Sequence, residues 1–446
     1  MSLKNRDFKY IGYVLLIVIF VPMVHLYGQT LTILGTLGGT NSQAMDVSST
    51  GAVVGRSNFV EGSGAYRGFI WTESGGMIDL GSLGGNTSEA NAISADGQVV
   101  VGVSQDEAFT SRAFRWTESL GMMILDDENW TLSEAVAVSD NGIIVGTGSN
   151  TSNNQHAFTW TEPTGIQDLG TAPDASASRA IDISGDGSII VVESGTADIW
   201  STTTGWSSLS GAPNFIINAI SSDGNTFVGY TTDAYFAYWS EETGLRTFSI
   251  PGSMSSYAYD VNEDGSIIVG SGRFFPNEFR AYRWTPESNF EDLNVVYNSL
   301  LGDSISLSDA IAISPNGRYI VGTALIIGET NYSRPYLLDV GIPNPTDESV
   351  NNLTNTLRLA QNYPNPFNPE TTIEFSLPQN AYMTLEIFNI KGQKIKTLVN
   401  GKFSSGTHSI RWNGTDENGR VVANGTYIYR IYSDQFSVSR KMILLK

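Results

Sequence analysis

One segment recurring seven times, a glycine-ended turn at the same place in each copy, and a final stretch with period-two alternation predict an all-β chain. The expected architecture is a seven-bladed β-propeller of four-stranded blades followed by a small immunoglobulin-like β-sandwich. The 446 residues exceed one ordinary core and suit two or three units. Forty-six glycines with only 16% charged residues fit many short strands joined by tight turns, and a 41% apolar share excludes wholesale disorder.

The first element expected is an export signal over residues 1–29. Lys4, Arg6 and Lys9 precede an apolar run over residues 10–24, and small or polar residues follow near Gly28. The run is short for a bilayer span, which takes about 20 residues.

The repeat occupies residues 30–340 and is clearest over residues 90–116, ANAISADGQVVVGVSQDEAFTSRAFRW. The full pattern is an A-x-x-[IV]-[SN] strand, a turn, a V-V-G strand, a variable loop, an aromatic-rich strand, and a second turn leading to an I-D-L-like strand. The turn glycines Gly51, Gly97, Gly142, Gly187, Gly224, Gly265 and Gly317 are spaced 37 to 52 residues apart, a propeller-blade period. Dipeptides such as Asp96-Gly97 and Asp223-Gly224 predict two-residue hairpins with both central residues at positive φ. A calcium loop would need D-x-[DN]-x-[DN]-G spacing, which none of these stretches has.

The second strand closes on Gly55, Gly102, Gly146, Gly229, Gly270 and Gly322, with Val192 in the fourth copy. Glycine there predicts a close backbone approach or a bulge. Trp71, Trp116, Trp160, Trp200, Trp239 and Trp284 end the third strand in six copies, and Tyr336-Leu337 is expected in their place in the last. Their recurrence predicts packing between blades. A fourth-strand segment at residues 31–34 stands before any first strand, while the seventh copy, over residues 310–340, lacks its fourth. Pairing these leftovers would close the ring with one N-terminal and three C-terminal strands, and would remove two sheet edges.

Residues 34–39 (LGTLGG), 80–85 (LGSLGG) and 156–160 (HAFTW) resemble the HAF family of extracellular repeats, and the resemblance covers residues 31–340. Only His156 keeps the family's histidine; the other copies have Arg67, Arg112, Arg280 and Arg334, with Thr196 or Ala197 and Phe236 in the fourth and fifth. The resemblance implies an extracellular location more than a chemistry.

Residues 341–361 read as a polar linker, and alternation returns at residues 372–377, 383–388, 394–399, 408–412, 427–432 and 436–445. This tail, residues 362–446, is similar to the C-terminal sorting domain of type IX secretion cargo and to the immunoglobulin-like domain of the flagellar hook-capping protein. The residues that carry the likeness are Q-N-Y-P-N-P-F-N-P over 361–369, Gly392-Gln393, Trp412-Asn413-Gly414, Gly425-Thr426-Tyr427 and the basic end from Arg440. The resemblance implies secretion or display at the outer-membrane surface of a Gram-negative bacterium, with the type IX machinery as partner. Tyr363, Pro364, Asn365, Pro366, Phe367, Lys441 and Lys446 would then belong to the sorting signal.

Charge and residue usage narrow the functions. Residues 30–353 hold eleven arginines, no lysine and 38 acids, a net charge of −27, which repels phosphate backbones and argues against nucleic acid. Cysteine is absent, so disulfides and thiolate metal sites are excluded, and no cofactor is expected.

If strands alternate within a blade, the long variable loops share one face, where each third strand begins with Arg67, Arg112, His156, Arg280 or Arg334. These are the expected ligand contacts for an extracellular glycan or protein. The simpler reading is that the arginines satisfy neighbouring carboxylates and carbonyls. A secreted hydrolase or lyase using a carboxylate pair in the propeller funnel is the alternative, with Asp126, Asp127 and Glu128 together in one loop. Histidine-based catalysis has only His156 and His408 to draw on beyond the signal segment.

Overall fold

The computed structural model describes residues 28–341 and 358–445, apart from 61–63, 126–129, 151, 153, 174, 195–196, 287, 327, 329–332, 360–361, 363–364, 366, 378–379, 390, 405 and 433–436. Contacts divide the chain into two units, Met1–Ile342 and Pro343–Lys446. The expected signal segment lies outside the described residues, as do most of the expected linker and the Asp126, Asp127, Glu128 loop.

The first unit is a ring of seven antiparallel sheets. Blade 1 is Ser42–Val47, Val53–Asn58, Tyr66–Thr72 and Gly76–Asp79, and blades 2 to 6 repeat this four-stranded meander in chain order up to Asn289–Asp292. Blade 7 closes the ring. Thr30–Ile33 pairs antiparallel with Ser333–Asp339, which pairs with Tyr319–Ile326, so one N-terminal strand completes a C-terminal sheet. The innermost strand of blade 7 is broken into Ile305–Leu307 and Ala312–Ile313.

What holds the ring together is a set of cores that each straddle two blades. At the seam, Leu34, Ala44, Val53 and Phe69 of the N-terminal side pack with Ala312, Val321 and Leu337 of blade 7. Val54 and Ile70 meet Val100 and Phe114 between blades 1 and 2, and the same arrangement continues around to Val269 and Ala281 against Ile320 and Tyr336. Burying apolar area on both faces of every sheet stabilises by about 25 cal/mol per Å², and no blade can do it alone. The tryptophans Trp71, Trp116, Trp160, Trp200, Trp239 and Trp284 each pack on one of these inter-blade cores, as expected.

In blade 7 the position is held by Leu338, which pairs with Ile320 as Trp71 pairs with Val53; the expected Tyr336-Leu337 lies one step out of register. Two one-turn helices, Leu293–Val296 and Asn298–Leu301, add Leu293, Tyr297 and Leu301 to the same core.

The strand glycines mark close backbone approach. A Cβ on Gly55 would stand 2.0 Å from the Gln43 carbonyl oxygen, and one on Gly270 1.9 Å from that of Tyr257. Opposite them the innermost strands carry bulges at one recurring position, Ala44/Asp46 in blade 1 and Ala258/Asp260 in blade 6. The turns differ from the expected two-residue type. Gly97 has φ +78°, but Asp96 is not left-handed, and the loop runs from Ser94 to Val99, with Gly97 N–H donating to the Ser94 carbonyl. A serine explains the longer loop: Ser94 Oγ donates to Asp96 Oδ1 and accepts from Val99 N–H, so a side chain closes what a primed turn would otherwise close. Turn tips also bond around the ring, as in Gly185 N–H to the Ser222 carbonyl and Glu263 N–H to the Pro315 carbonyl.

The second unit is a sandwich of a three-stranded sheet, containing Arg358–Leu359, Thr371–Leu377 and Gly406–Trp412, and a four-stranded sheet of Lys394–Phe403, Ala381–Asn389, Gly425–Tyr432 and Ser437–Leu444. Trp412, Phe367, Phe375 and Tyr429 centre its core.

Candidate functional site

Along one edge of the ring the five expected contact residues share a register. Ser57, Ser104, Gly148, Gly272 and Ala324 pair with Arg67, Arg112, His156, Arg280 and Arg334. The register passes through Tyr235 in blade 5, opposite Thr231, rather than through Phe236. Thr196 lies outside the described residues.

Each of the five is engaged inside the protein. Arg112 donates to Asp106 Oδ2 at 3.1 Å and to the Trp130 carbonyl at 2.7 Å, so it joins blade 2 to the start of blade 3. Arg334 reaches the Thr40 carbonyl at 2.9 Å across the seam, and Arg67 bonds the Asn86 carbonyl while its guanidinium lies 4.8 Å from the Phe59 ring centroid. Arg280 pairs with Glu278 at 2.7 Å and Asp292 at 3.4 Å, and His156 Nδ1 lies 2.9 Å from Asp168. The row therefore ties blades together and balances acids. The serines of the S-x-A pattern do similar work: Ser88, Ser133, Ser178 and Ser256 are buried, and each accepts a hydrogen bond from a backbone N–H of the preceding blade.

Three acids that sequence reasoning overlooked occupy the bulge. Asp46, Asp182 and Asp260 each accept N–H bonds with both oxygens, one from the next residue and one from the following blade: Ile93 at 2.9 Å, Ile220 at 2.8 Å and Ile313 at 2.8 Å. Burial pushes Asp46 up to about 6 and Asp182 up to about 7, and raises Asp260 well above the carboxylate range, with mutual repulsion adding for Asp182 and Asp260. The legible signal was A-x-D-[IV] in three copies where the others read A-x-A-[IV] or, in blade 5, I-N-A-I.

Beside the row, the innermost strands form a chemically uneven mouth. Gln43 pairs with Arg56, Arg179 with Glu193, Ile216 with Tyr230 and Tyr257 with Ser271. Arg56 bridges to Glu89 of blade 2 at 3.0 Å and to Gln43 Oε1 at 3.1 Å. Burial raises the Glu89 carboxyl, Arg56 opposes this, and Glu134 adds repulsion; Glu134 itself accepts from Asn91 at 2.9 Å. Across the ring Tyr230 and Tyr257 meet edge to face at 5.1 Å.

Two clefts open here. One of about 400 Å³ is lined by Asn41, Gln43, Arg56, Asn58, Tyr66 and Ser333 among others, and one of about 310 Å³ by Gln155, Ser176, Arg179 and Glu193 among others. Among the described residues, no group of three or more histidine or acidic side chains is placed to hold a metal ion.

In the second unit, two of the expected sorting residues bind its last strand. Ile443 N–H donates to Asn365 Oδ1 at 2.8 Å; Phe367 N–H donates to the Ile443 carbonyl, and the Phe367 carbonyl accepts from Leu445 N–H. The Phe367 ring is buried 5.5 Å from that of Trp412. Lys441 is exposed, and Tyr363, Pro364, Pro366 and Lys446 lie outside the described residues.

Residues 365–435 match the FlgD Ig-like domain family. No curated protein matches the chain. Similar solved structures include TolB from Acinetobacter baumannii, at 14% identity and TM-score 0.37, covering 58% of this chain and 64% of that one. PorZ of Porphyromonas gingivalis, described as an essential bacterial surface component of the type-IX secretion system, is similar at 13% identity and TM-score 0.29, over 90% of this chain and 51% of that one. The Cps50 (Swd1) β-propeller domain of Myceliophteria thermophila has 10% identity and TM-score 0.42, over 69% and 98%. The chain thus spans about two thirds of TolB and half of PorZ.

Proposed function

We propose that this is a secreted or cell-surface binding protein whose propeller presents its loop face to an extracellular glycan or protein, with the C-terminal domain directing export through the type IX machinery. The observation that carries the binding reading is the contrast between the two faces. The turns between first and second strands bond to one another around the ring, while the loop face opens two clefts lined mainly by residues with polar side chains beside the row of Arg67, Arg112, His156, Arg280 and Arg334. A net charge of −27 over residues 30–353 disfavours nucleic acid. The match over residues 365–435 and the motifs at both ends of the tail support the delivery role.

A screen of glycans and polysaccharides against the full chain, with reducing ends assayed in the same wells, tests this. Binding without release, weakened by Arg67→Ala or Arg280→Ala, is the expected result. Silence in both assays sinks the glycan arm and leaves a protein partner.

A carbohydrate-active hydrolase is the second reading, and Glu89 favours it. Burial raises its carboxyl and Glu134 stands near enough to add repulsion, so two carboxylates neighbour each other as such an enzyme requires. Release of sugar ends that disappears in Glu89→Gln would replace the binding-only reading.

A further inference from the structure

The repeat explains most of the ring: glycines at close approaches, serines between blades, tryptophans and alanines in the inter-blade cores. The residues left over are those the repeat does not require, and one group of them stands at the mouth where blade 7 meets blade 1. The residue after the V-V-G glycine is arginine only in blade 1, at Arg56; the equivalent positions elsewhere are Val103, Thr147, Tyr230, Ser271 and Thr323, with Glu193 in the fourth blade. Tyr66 stands beside it, with the Arg56 guanidinium 5.1 Å from its ring centroid.

We infer that the cleft between blades 7 and 1 is a subsite for a neutral saccharide, held by the amides of Asn41, Gln43 and Asn58, the hydroxyl of Ser333 and the Arg56–Tyr66 pair. The inference rests on the glycan-binding reading above and gives it a place and a ligand class. At about 400 Å³ the cleft lies within the size range of small-molecule sites. Its chemistry is amide and hydroxyl, the groups that can donate to and accept from a sugar's own hydroxyls in the same contact.

Charge decides against an acidic sugar. Among the described residues the one cation lining the cleft, Arg56, is matched by Glu89 at 3.0 Å, and the surrounding body is strongly acidic. Chain geometry adds rigidity: Asn58 donates to the Ala65 carbonyl at 2.9 Å, and Arg56 is fixed by Glu89 and Gln43 as well as by the Tyr66 ring. An aromatic ring fixed by a stacked guanidinium presents its apolar surface at little entropic cost.

The test titrates the full chain with cellohexaose, xylohexaose, mannohexaose and hexagalacturonate in a calorimeter at low and high salt. Asn41→Ala, Tyr66→Ala and Tyr66→Phe are compared, with thermal midpoints recorded to confirm folding. One neutral hexaose should bind with little salt dependence and weaken tenfold or more in Asn41→Ala and Tyr66→Ala, while Tyr66→Phe keeps most of the affinity. A neutral hexaose that binds the cleft variants as tightly as the parent overturns the inference but leaves the glycan reading standing. Salt-sensitive binding of hexagalacturonate alone does the same. No binding of any sugar overturns the glycan reading, and the inference with it.

Discussion

Raising the pH from 4.5 to 8 should destabilise the propeller, and the three bulge aspartates set the size of the effect. A group whose carboxyl is raised in the folded state contributes stability that is full below its unfolded value near 4 and is lost as pH rises through its folded value. One pH unit of displacement is worth about 1.4 kcal/mol. Part of this is already lost at pH 4.5, above the unfolded value, so over the window Asp46, moved from 3.8 to about 6, withdraws about 2 kcal/mol, and Asp182, moved to about 7, about 3 kcal/mol. Asp260, Glu89, Asp140 and Asp309 move in the same direction.

Asp106, Asp186 and Glu278 are lowered instead, so their contribution fails only on acidification below about pH 4, outside the window. Alanine stands at the equivalent place in four blades, at Ala92, Ala137, Ala219 and Ala312, so Asp182→Ala is a substitution the fold already accommodates. At pH 4.5 that variant lacks the acceptors for Ile183 and Ile220 N–H and should be less stable than the parent by about 1 to 3 kcal/mol. By pH 8 the deficit should shrink by about 3 kcal/mol and vanish or reverse. Urea unfolding of parent and variant at pH 4.5, 6 and 8 measures both. A parent whose midpoint rises with pH, or a variant with the parent's pH slope, would refute the argument.

Other outcomes follow from packing. Gly270→Ala, which drives a Cβ against the Tyr257 carbonyl, should cost about 3 kcal/mol in chemical unfolding, whereas Gly121→Ala, with open space but φ +70°, should cost about 1 kcal/mol. Leu34→Ala empties a buried position at the seam and should lower stability by about 2 to 5 kcal/mol, more than Leu31→Ala, which loses a half-buried side chain. Phe367→Ala should destabilise the C-terminal sandwich by about 3 to 5 kcal/mol and expose its last strand to hydrogen exchange while leaving the propeller's own transition in place.

The sequence by itself determined the number of blades, their strand order and the offset that closes the ring. All three depend on local periodicity and on counting elements. Each strand is short, the turn between first and second strands carries a glycine in every copy, and Thr30–Ile33 had no other partner to complete a blade. The close approach at the V-V-G glycines was legible for the same reason, since only a missing Cβ explains a glycine repeated inside a strand. The turn type was misread because the decisive atom belongs to a serine three residues before the glycine, Ser94 for Gly97, whose hydroxyl replaces a backbone closure.

Only the tertiary structure decided what the cations and acids do. Arg112 and Arg334 look alike as free charges along the chain, and their carbonyl partners, Trp130 and Thr40, come from neighbouring blades. Asp46 and Ala92 differ by one side chain in the sequence, but burial beside the next blade's N–H makes the aspartate a titrating group of the ring. The cleft lined by Asn41, Arg56, Tyr66 and Ser333 joins residues nearly 300 positions apart, a proximity created by closure and by nothing local.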